Sequence, residues 1–261
     1  VWVLTNANGL GGVPTWAQLS PTGGPTALIE NSYVYDPGSN RLIVFGGCSN
    51  VDCLPDTWVL SNANGLGGTP VWTQLSPTGG PPRARIWSTA VYDPATNRMT
   101  IYSGEGCVSF CNDVWVLSNA NGLGGTPNWT ELSPGGGTPN PRDAHSAVLN
   151  PASNRMTVFG GLTNAGGCCS SLGDVWVLTD ANGAPSDTTP PVLNLPANFA
   201  VNATSPSGAI VTYTATATDD SGVTPTVSCI PLSGGTFAIA TTTVNCTATD
   251  AANNSATGSF T

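Results

Sequence analysis

The chain has 261 residues, of which 8% are charged, and its formal net charge at pH 7 is −9. With only 6 Lys and Arg residues, it lacks the basic surface that binds nucleic-acid phosphates, so we expect no nucleic-acid partner. No stretch approaches the roughly 18 consecutive apolar residues of a membrane span, so we expect no membrane-spanning segment. Thr, Ser and Asn must supply most of the polar surface, and because these residues suit strands and turns, an all-β protein is predicted.

The 8 cysteines fall into pairs at close spacing. The pairs are Cys48 and Cys53, Cys107 and Cys111, Cys168 and Cys169, and Cys229 and Cys246. An even number of locally paired cysteines indicates disulfides formed in an oxidising compartment, so we expect a secreted or cell-surface protein. A zinc site would need four converging ligands, and the cysteine spacing does not supply them. A bond between the neighbours Cys168 and Cys169 would be strained, and each of them has the alternative of another partner.

The first predicted element, "WVL" near residue 2, returns along the chain at a nearly fixed period. Matching strands begin at Trp2, Trp58, Trp115 and Trp176. Between them lie "YVYDPGSNRLIVFGG" at 33–47, "TAVYDPATNRMTIYSG" at 89–104 and "SAVLNPASNRMTVFGG" at 146–161. A unit of about 57 residues is therefore repeated three times, which indicates a repeated structural element.

Each unit alternates apolar and polar residues with period two and is broken by Gly, Pro and Asn clusters, so it predicts four short strands. In the second unit we expect them near 87–92, 98–103, 114–117 and 129–132. The first two are joined by "DPATN", whose Asp, Pro and Asn favour a tight turn. A cysteine-bearing loop joins the second strand to the third, and "SNANGLGGTP" joins the third to the fourth.

This order of strand, tight hairpin, apolar-apolar-Gly-Gly and second hairpin resembles the kelch repeat, a four-stranded blade of a β-propeller. The resemblance is carried by Val44-Phe45-Gly46-Gly47, Val158-Phe159-Gly160-Gly161, Trp72 and Trp129. The second unit departs from it at Ile101-Tyr102-Ser103-Gly104, and Leu60 and Leu117 stand where a kelch Tyr is common. The resemblance implies kelch-like blades over residues 1–182. It implies little about function, because propellers host many activities.

The segment "LSNANGLGGTP" occurs at 60–70 and at 117–127, with near copies at 4–14 and 178–185. The blade plan makes it the loop between the third and fourth strands, on the same face as the "DPATN" turns. Its Gly residues tolerate positive φ, and it offers almost none of the carboxylates that a calcium loop needs. We therefore interpret the repeated loop as architecture.

The opposite face carries loops that differ from unit to unit, which makes it the expected recognition face. Trp87 is the one tryptophan without a repeat equivalent, and we predict that it binds a ligand such as a glycan. Arg85 and Arg142 lie in the same approaches to the first strand, either as ligand contacts or as structural partners of the acids.

No catalytic residue is predicted. His145 is the only histidine, which argues against a hydrolase triad, and it is expected to be a hydrogen-bonded structural residue near the propeller axis. A glycosidase would need a pair of carboxylates. The unrepeated acids of the propeller portion are Glu30, Glu105 and Glu131, and they keep a fragment of a carbohydrate-active enzyme open as an alternative.

A Pro-rich linker is predicted at 183–192, followed by strictly alternating segments over 193–261. These segments are similar to the hyalin repeat (HYR), an immunoglobulin-like extracellular module. The matching residues are Asp187, Pro190-Pro191-Val192, Cys229, Gly234-Gly235-Thr236-Phe237 and "VNCTATDAANN" at 244–254. The resemblance implies a small sandwich with Cys229 and Cys246 tying neighbouring strands. No cofactor is predicted, although Asp219, Asp220 and Asp250 have the chemistry to bind calcium in a loop.

The repeat pattern predicts successive sheets of two, four, four and three strands in the propeller portion. Sheets that lack strands leave open edges, and open edges pair with other chains. We therefore expect a non-enzymatic extracellular structural or adhesive protein that self-associates into a ring or filament, or that is part of a larger surface protein. The alternatives are a secreted glycan-binding module, which would bind surface glycans, and a fragment of a carbohydrate-active enzyme.

Overall fold

A computed structural model describes residues 1–25, 28–49, 51–106, 110–164, 170–184, 187–221 and 223–261. The protein is all-β, as the sequence predicts, and its one helical element among these residues is a 3-10 turn at Pro151–Ser153. No helix in the described part of the chain is long and apolar enough to cross a membrane. The chain divides into two compact units, Val1–Ala184 and Pro185–Thr261.

The first unit is a row of antiparallel sheets, one for each sequence repeat, which we call blades 1 to 4. Blade 1 contains β1 (Trp2–Thr5) and β2 (Thr15–Gln18). Blade 2 contains β3 (Ser32–Asp36), β4 (Arg41–Phe45), β5 (Thr57–Ser61) and β6 (Val71–Gln74). Blade 3 contains β7 (Thr89–Asp93), β8 (Arg98–Tyr102), β9 (Val114–Ser118) and β10 (Asn128–Leu132).

Blade 4 has three strands: β11 (Ser146–Asn150), β12 (Arg155–Phe159) and β15 (Val175–Thr179). A hairpin of two short strands, β13 (Leu162–Thr163) and β14 (Ser170–Ser171), lies in the chain between β12 and β15. Within the described residues, β15 is therefore the outer strand of blade 4, in the position that β5 and β9 hold beside a fourth strand. The predicted numbers of strands in blades 1 to 4, which are two, four, four and three, are confirmed.

The predicted first strand of blade 3 begins two residues too early. Trp87 has φ of 53°, which lies in the left-handed region, so the extended conformation starts only at Thr89. The residues at the same place in the neighbouring repeats, Glu30 and Ala144, have φ of 60° and 50°. The bend before the first strand is therefore a feature of the repeat.

Two apolar cores lie between successive blades. In the first, Val34, Ile43, Phe45 and Val59 of blade 2 pack with Met99, Ile101, Leu117 and Trp129 of blade 3. In the second, Val91, Tyr102 and Val114 of blade 3 pack with Met156 and Val158 of blade 4. We call the side of a blade that points to the next repeat its forward face, and the other side its backward face. Each core is one forward face packed on one backward face.

The second unit is sandwich-like and consists of short antiparallel strands. They are β16 (Val192–Asn194), β17 (Ala209–Val211), β18 (Thr216–Thr218), β19 (Thr226–Ile230), β20 (Gly235–Phe237), β21 (Val244–Thr249) and β22 (Ser255–Phe260). Its core contains Cys229, Val244, Cys246 and Phe260. The backbone oxygen of Asp187, within the predicted linker, accepts a hydrogen bond of 3.0 Å from Asn254 of this unit. The predicted linker is therefore packed against the second unit at Asp187.

Two of the four predicted disulfides are confirmed, Cys48–Cys53 and Cys229–Cys246. The second joins directly opposed residues of β19 and β21, as the hyalin-repeat resemblance implies. Cys111 is also disulfide-bonded. Cys107, Cys168 and Cys169 lie outside the described residues, so the two pairings that involve them stay predictions.

Candidate functional site

The two arginines of the predicted ligand site are buried in ion pairs. Arg85 donates to both carboxylate oxygens of Asp113, at 2.6 and 2.7 Å, and its side chain has no exposed surface. Arg142 makes the same bidentate contact with Asp174, at 2.7 and 2.8 Å. Such pairs are geometrically fixed and fully occupy the planar guanidinium edge. Arg85 and Arg142 are therefore partners of the repeated acids, which is one of the two roles considered for them, and a contact of either arginine with a ligand stays a prediction.

Each acid of these pairs also anchors a tryptophan of the third strand. The indole nitrogens of Trp115 and Trp176 donate to Asp113 and Asp174 at 2.8 and 2.7 Å. Burial alone would raise the pKa of Asp113, but hydrogen bonds from Arg85 and Trp115 and the Arg85 charge lower it below its usual value. The hydrogen bond from Arg142 is the main cause of the lowered pKa of Asp174. Both carboxylates are thus held ionised.

Trp87 is the exposed member of the predicted set. Its backbone N–H donates to Glu30 at 3.2 Å, and its carbonyl accepts from Ala144 at 3.1 Å. These bonds connect blades 2, 3 and 4 in a ladder that runs before their first strands. The ladder fixes the main chain of Trp87, while 41% of the residue stays accessible to solvent. Trp87 therefore remains available as an aromatic contact.

His145 is a buried structural residue, as expected. Its Nε2 lies 2.7 Å from the hydroxyl of Thr89, and its ring meets Tyr102 edge-on at 5.1 Å. Burial, with the charge of Arg142, lowers the pKa of His145 to about 4. The matching contact one repeat earlier joins the hydroxyls of Ser32 and Ser88 at 2.5 Å. The histidine thus occupies a repeated position in a chain of side-chain contacts between first strands.

The repeated "SNANGLGG" loops hold neighbouring blades together. The side-chain amide of Asn121 donates to Asp36 of the preceding blade at 2.8 Å, and Asn97 of its own blade donates to Asn121 at 2.8 Å. One repeat later, Asn182 donates to Asp93 at 2.6 Å. Burial of Asp36 would raise its pKa, but hydrogen bonds from Asn121 and from its own turn lower it. These contacts support the interpretation of the loop as architecture.

The forward face of blade 4 is the largest difference between blades. Val34, Val91 and Val148 occupy equivalent first-strand positions, and their exposed fractions are 8%, 6% and 66%. The equivalent aromatic residues of the second strand, Phe45, Tyr102 and Phe159, are 0%, 3% and 57% exposed. On β15, Val175 and Val177 are 63% and 51% exposed. The residues that bury between blades elsewhere therefore face solvent on blade 4.

The backward face of blade 2 lines an open groove. The groove has a volume of about 700 Å³ and lies between the β1–β2 hairpin and blade 2. Its apolar lining includes Trp2, Tyr33, Tyr35, Leu42, Val44 and Trp72. Tyr33 and Tyr35 are exposed, whereas their equivalents in blade 3, Ala90 and Tyr92, pack against the core between blades 2 and 3. Among the residues that the structure describes, no blade packs on the inner strands of this backward face.

The acids that lie together in the second unit are not the three named for the possible calcium loop. Carboxylate oxygens of Asp187, Asp219 and Asp220 lie within 4.8 Å of one another. Asp250 instead accepts hydrogen bonds of 2.8 and 2.9 Å from the backbone and side chain of Asn254. A hydrogen bond from Ser221 is the main cause of the lowered pKa of Asp219. Asp187 was missed because it lies far from Asp219 in sequence, and exposed acidic groups of this kind are common without an ion.

The unrepeated acids occupy different elements. Glu30 precedes β3, Glu105 bridges to Ile86 and Phe110 in the loop after β8, and Glu131 lies exposed on the outer strand β10. Burial and the charge of Glu105 raise the pKa of Asp143. Raised and lowered carboxylate pKa values are common in structural networks as well as in active sites.

The second unit matches a known module. Residues 186–261 match the HYR domain. In this unit, the disulfide Cys229–Cys246 joins β19 to β21, and the hydrogen bonds of Asp250 with Asn254 lie in the turn between β21 and β22.

The chain is similar to two curated plant proteins. One is Adagio protein 3 of Arabidopsis thaliana, 34% identical over 129 residues, which are 49% of this chain and 19% of that protein. Putative adagio-like protein 2 of Oryza sativa subsp. japonica is 28% identical over 155 residues, 58% of this chain and 22% of that protein. The chain thus spans about a fifth of the length of these relatives.

Among solved structures, one titled "Structure of YjhT" covers 55% of this chain and 36% of its own, at 17% identity and a TM-score of 0.39. That score is too low to assign a fold. The sequence predicts the open edge of β15, because the next segment is Pro-rich and lacks a fourth-strand tryptophan such as Trp72 or Trp129, but it does not predict the exposed forward face of blade 4.

Proposed function

We propose that the protein is an extracellular, non-enzymatic structural or adhesive protein whose kelch-like blades associate with the blades of another copy. The HYR match at 186–261 supports an extracellular adhesion-type module. The disulfides Cys48–Cys53 and Cys229–Cys246 fit an oxidising compartment. The observation that carries the proposal is the exposed forward face of blade 4.

The forward face of blade 4 is apolar where an ordinary surface is polar. Val148, Phe159, Val175 and Val177 form one patch of the type that marks protein interaction sites. The same positions are buried twice within the chain, each time against the backward face of the next blade. After blade 4 the chain continues into the HYR unit rather than into another blade. A second copy supplies a matching surface in the groove on the backward face of blade 2.

The contact joins two different surfaces, so it is heterologous and builds either a ring or an open filament. We expect the mass of the purified chain, measured by light scattering, to rise with concentration. Val148→Asp places a charge in the apolar contact and should return the protein to a monomer. Its melting temperature should equal that of the wild-type chain at a concentration where the wild type is also monomeric, because Val148 is exposed.

The matched control is Ile210→Asp, which changes an equally exposed apolar residue of the HYR unit and should leave association intact. A chain that stays monomeric at every concentration contradicts the proposal. So does an assembly that is insensitive to Val148→Asp.

A second candidate is glycan binding through Trp87, favoured by its fixed main chain and exposed ring. Binding to a glycan array that is lost in Trp87→Ala, while the assembly state is unchanged, would support this function. Binding that persists in this variant would exclude Trp87 as the contact.

A further inference from the structure

We propose that Trp87, Glu105 and Asp143 form a binding site for a positively charged amino sugar. The indole stacks on the sugar ring, and the two carboxylates attract its ammonium group. The inference rests on the second candidate function, glycan binding through Trp87, and names the class of sugar. It draws on the place where unrepeated residues meet, on the charges around them and on the use of the local main chain.

The unrepeated residues of blades 3 and 4 come together just before the first strands. An isolated antiparallel bridge stands there in each of blades 2 to 4, and its pairs are Ile29 with Cys48, Ile86 with Glu105, and Asp143 with Leu162. Asp143 therefore holds a position that is isoleucine in the two preceding repeats. Glu105 holds a position that is cysteine in one neighbouring repeat and leucine in the other. Both acids depart from the repeat, and so does Trp87.

Hydrogen bonds of the main chain set these three residues side by side. The residue before Trp87 exchanges two bonds with Glu105, at 2.8 and 2.9 Å. The residue after Asp143 donates to the carbonyl oxygen of Trp87 at 3.1 Å. The residue before Asp143 accepts a bond of 2.9 Å from the residue before Glu105. These bonds close a ring of main chain that contains Trp87, Glu105 and Asp143.

Asp143 is a buried acid with an unsatisfied oxygen. The residue is 2% exposed, and its Oδ1 is buried without a hydrogen-bond partner in the described part of the chain. A buried carboxylate in the place of an isoleucine costs stability, and the nearby charge of Glu105 adds repulsion. A positive charge on a ligand would offset both costs. Asp143 thus acts through its charge, while the more accessible Trp87 and Glu105 make the contact.

The arginines of the protein leave these acids without a counter-charge. All 6 basic residues are arginines, and all of them lie in the described ranges. Arg85 and Arg142, the closest in sequence to the acids, are already held by acids of their own blades. Arg83 is exposed and forms no ion pair with a described residue, so water screens its charge. The site therefore attracts a cation from outside the chain.

The local main chain favours a sugar over a peptide. A peptide that adds to a sheet edge is held by main-chain hydrogen bonds. Here the N–H and carbonyl of Trp87 already bond Glu30 and Ala144, and those of Ile86 already bond Glu105. The ligand must therefore be recognised by side chains. An exposed indole offers a flat apolar face for a sugar ring, and the carboxylates supply the attraction for an amino group.

The first experiment compares two oligosaccharides with the same backbone, a glucosamine tetramer and its N-acetylated form. Each is titrated by calorimetry into the full chain at about pH 6, where amino groups and most carboxylates are charged. EDTA is present, so that no metal ion mediates the contact. We expect the glucosamine tetramer to bind at least about tenfold more tightly than the acetylated form. Added salt should weaken its binding, because it screens exposed charges.

Two variants test the residues in contact with the sugar. Trp87→Ala should weaken binding of the glucosamine tetramer at least about tenfold, and alanine fits this backbone because Ala144 has nearly the same φ, 50° against 53°. Glu105→Gln should weaken the same binding at least about threefold while leaving the acetylated sugar unaffected. The control Glu131→Gln removes the same charge from the exposed outer strand β10 and should change neither.

Asp143→Ile gives the most specific test, since it restores the residue of the preceding repeats. It removes a buried carboxylate that lacks a full set of partners, so the melting temperature should stay the same or rise. Affinity for the glucosamine tetramer should nevertheless fall at least about tenfold. A purely structural residue would not separate stability from binding in this way. If this variant binds the tetramer as tightly as the wild-type chain, the inference is wrong.

The outcomes separate this inference from the functions proposed above. Equal binding of the two sugars that is lost in Trp87→Ala keeps the glycan site and removes the preference for amino sugars. A lysine tetrapeptide that binds more tightly than the glucosamine tetramer overturns the sugar in favour of a basic peptide. If neither sugar binds, glycan binding and this inference both fail, whereas self-association is measured separately by light scattering and stands or falls on its own.

Discussion

Blades 3 and 4 are built from the same repeat, yet one is covered on both faces and the other on one. Their second strands read "RMTIY" and "RMTVF", and their third strands read "VWVLS" and "VWVLT". Tyr102 is nevertheless buried and Phe159 is exposed. Burial of a repeat residue is therefore set by the neighbouring blade as much as by the residue itself, as expected when each unit contacts only the adjacent ones.

The polar contacts of blades 3 and 4 also differ in their exposure to solvent. The Arg–Asp–Trp contact occurs in both blades, but the Asp113 side chain is 22% exposed and that of Asp174 is 37% exposed. Blade 2 has Asp56 at the equivalent position but Leu28 in place of the arginine. There the indole nitrogen of Trp58 is buried without a hydrogen-bond partner in the described part of the chain.

The largest expected effect comes from equivalent aromatic residues of a covered and an uncovered face. Phe45→Ala removes a fully buried ring from the core between blades 2 and 3 and should lower the free energy of unfolding by about 3–5 kcal/mol. Phe159→Ala should cost less than about 1 kcal/mol in the monomer. Urea unfolding at low protein concentration measures both, and equal losses would mean that Phe159 is covered in solution.

A smaller effect is expected from the two ion pairs. Asp113→Asn keeps the shape of the side chain but leaves Arg85 buried without a counter-charge, and should cost about 2–3 kcal/mol. Asp174→Asn should cost about 1–2 kcal/mol, because water screens the more exposed pair. Thermal unfolding of the two variants tests the order, and a larger loss for Asp174→Asn would contradict it.

The effect that is smallest at neutral pH is expected at His145, at the boundary between blades 3 and 4. Its pKa is lowered from 6.5 to about 4, so between these values the unfolded chain binds a proton that the folded chain does not. The contribution of His145 to stability is complete above about pH 6.5 and falls by about 3 kcal/mol as the pH approaches 4.

The control for His145 comes from the repeat itself, since Asn31 holds the equivalent position. His145→Asn should flatten the dependence of unfolding free energy on pH above about pH 4.5, where most carboxylates stay ionised. An unchanged slope in this variant would assign the pH dependence to other groups.

Strand order and the repeated loops followed from the sequence because period-two alternation and turn residues are local signals. The start of β7 did not, since the left-handed backbone at Trp87 is imposed by contacts with the neighbouring repeats. Arg85 and Asp113 are 28 residues apart, and only the packed blade shows that they meet. The same limit applies to Asp187, which joins Asp219 and Asp220 through the fold of the HYR unit.

The amides of Asn121 and Asn182 each reach one repeat back, to Asp36 and Asp93. Each of these hydrogen bonds joins two neighbouring blades, so none of them depends on the total number of blades. A gene that gains or loses one whole repeat would keep the remaining hydrogen bonds between blades. The row can therefore lengthen or shorten in evolution by complete units, with no compensating change elsewhere.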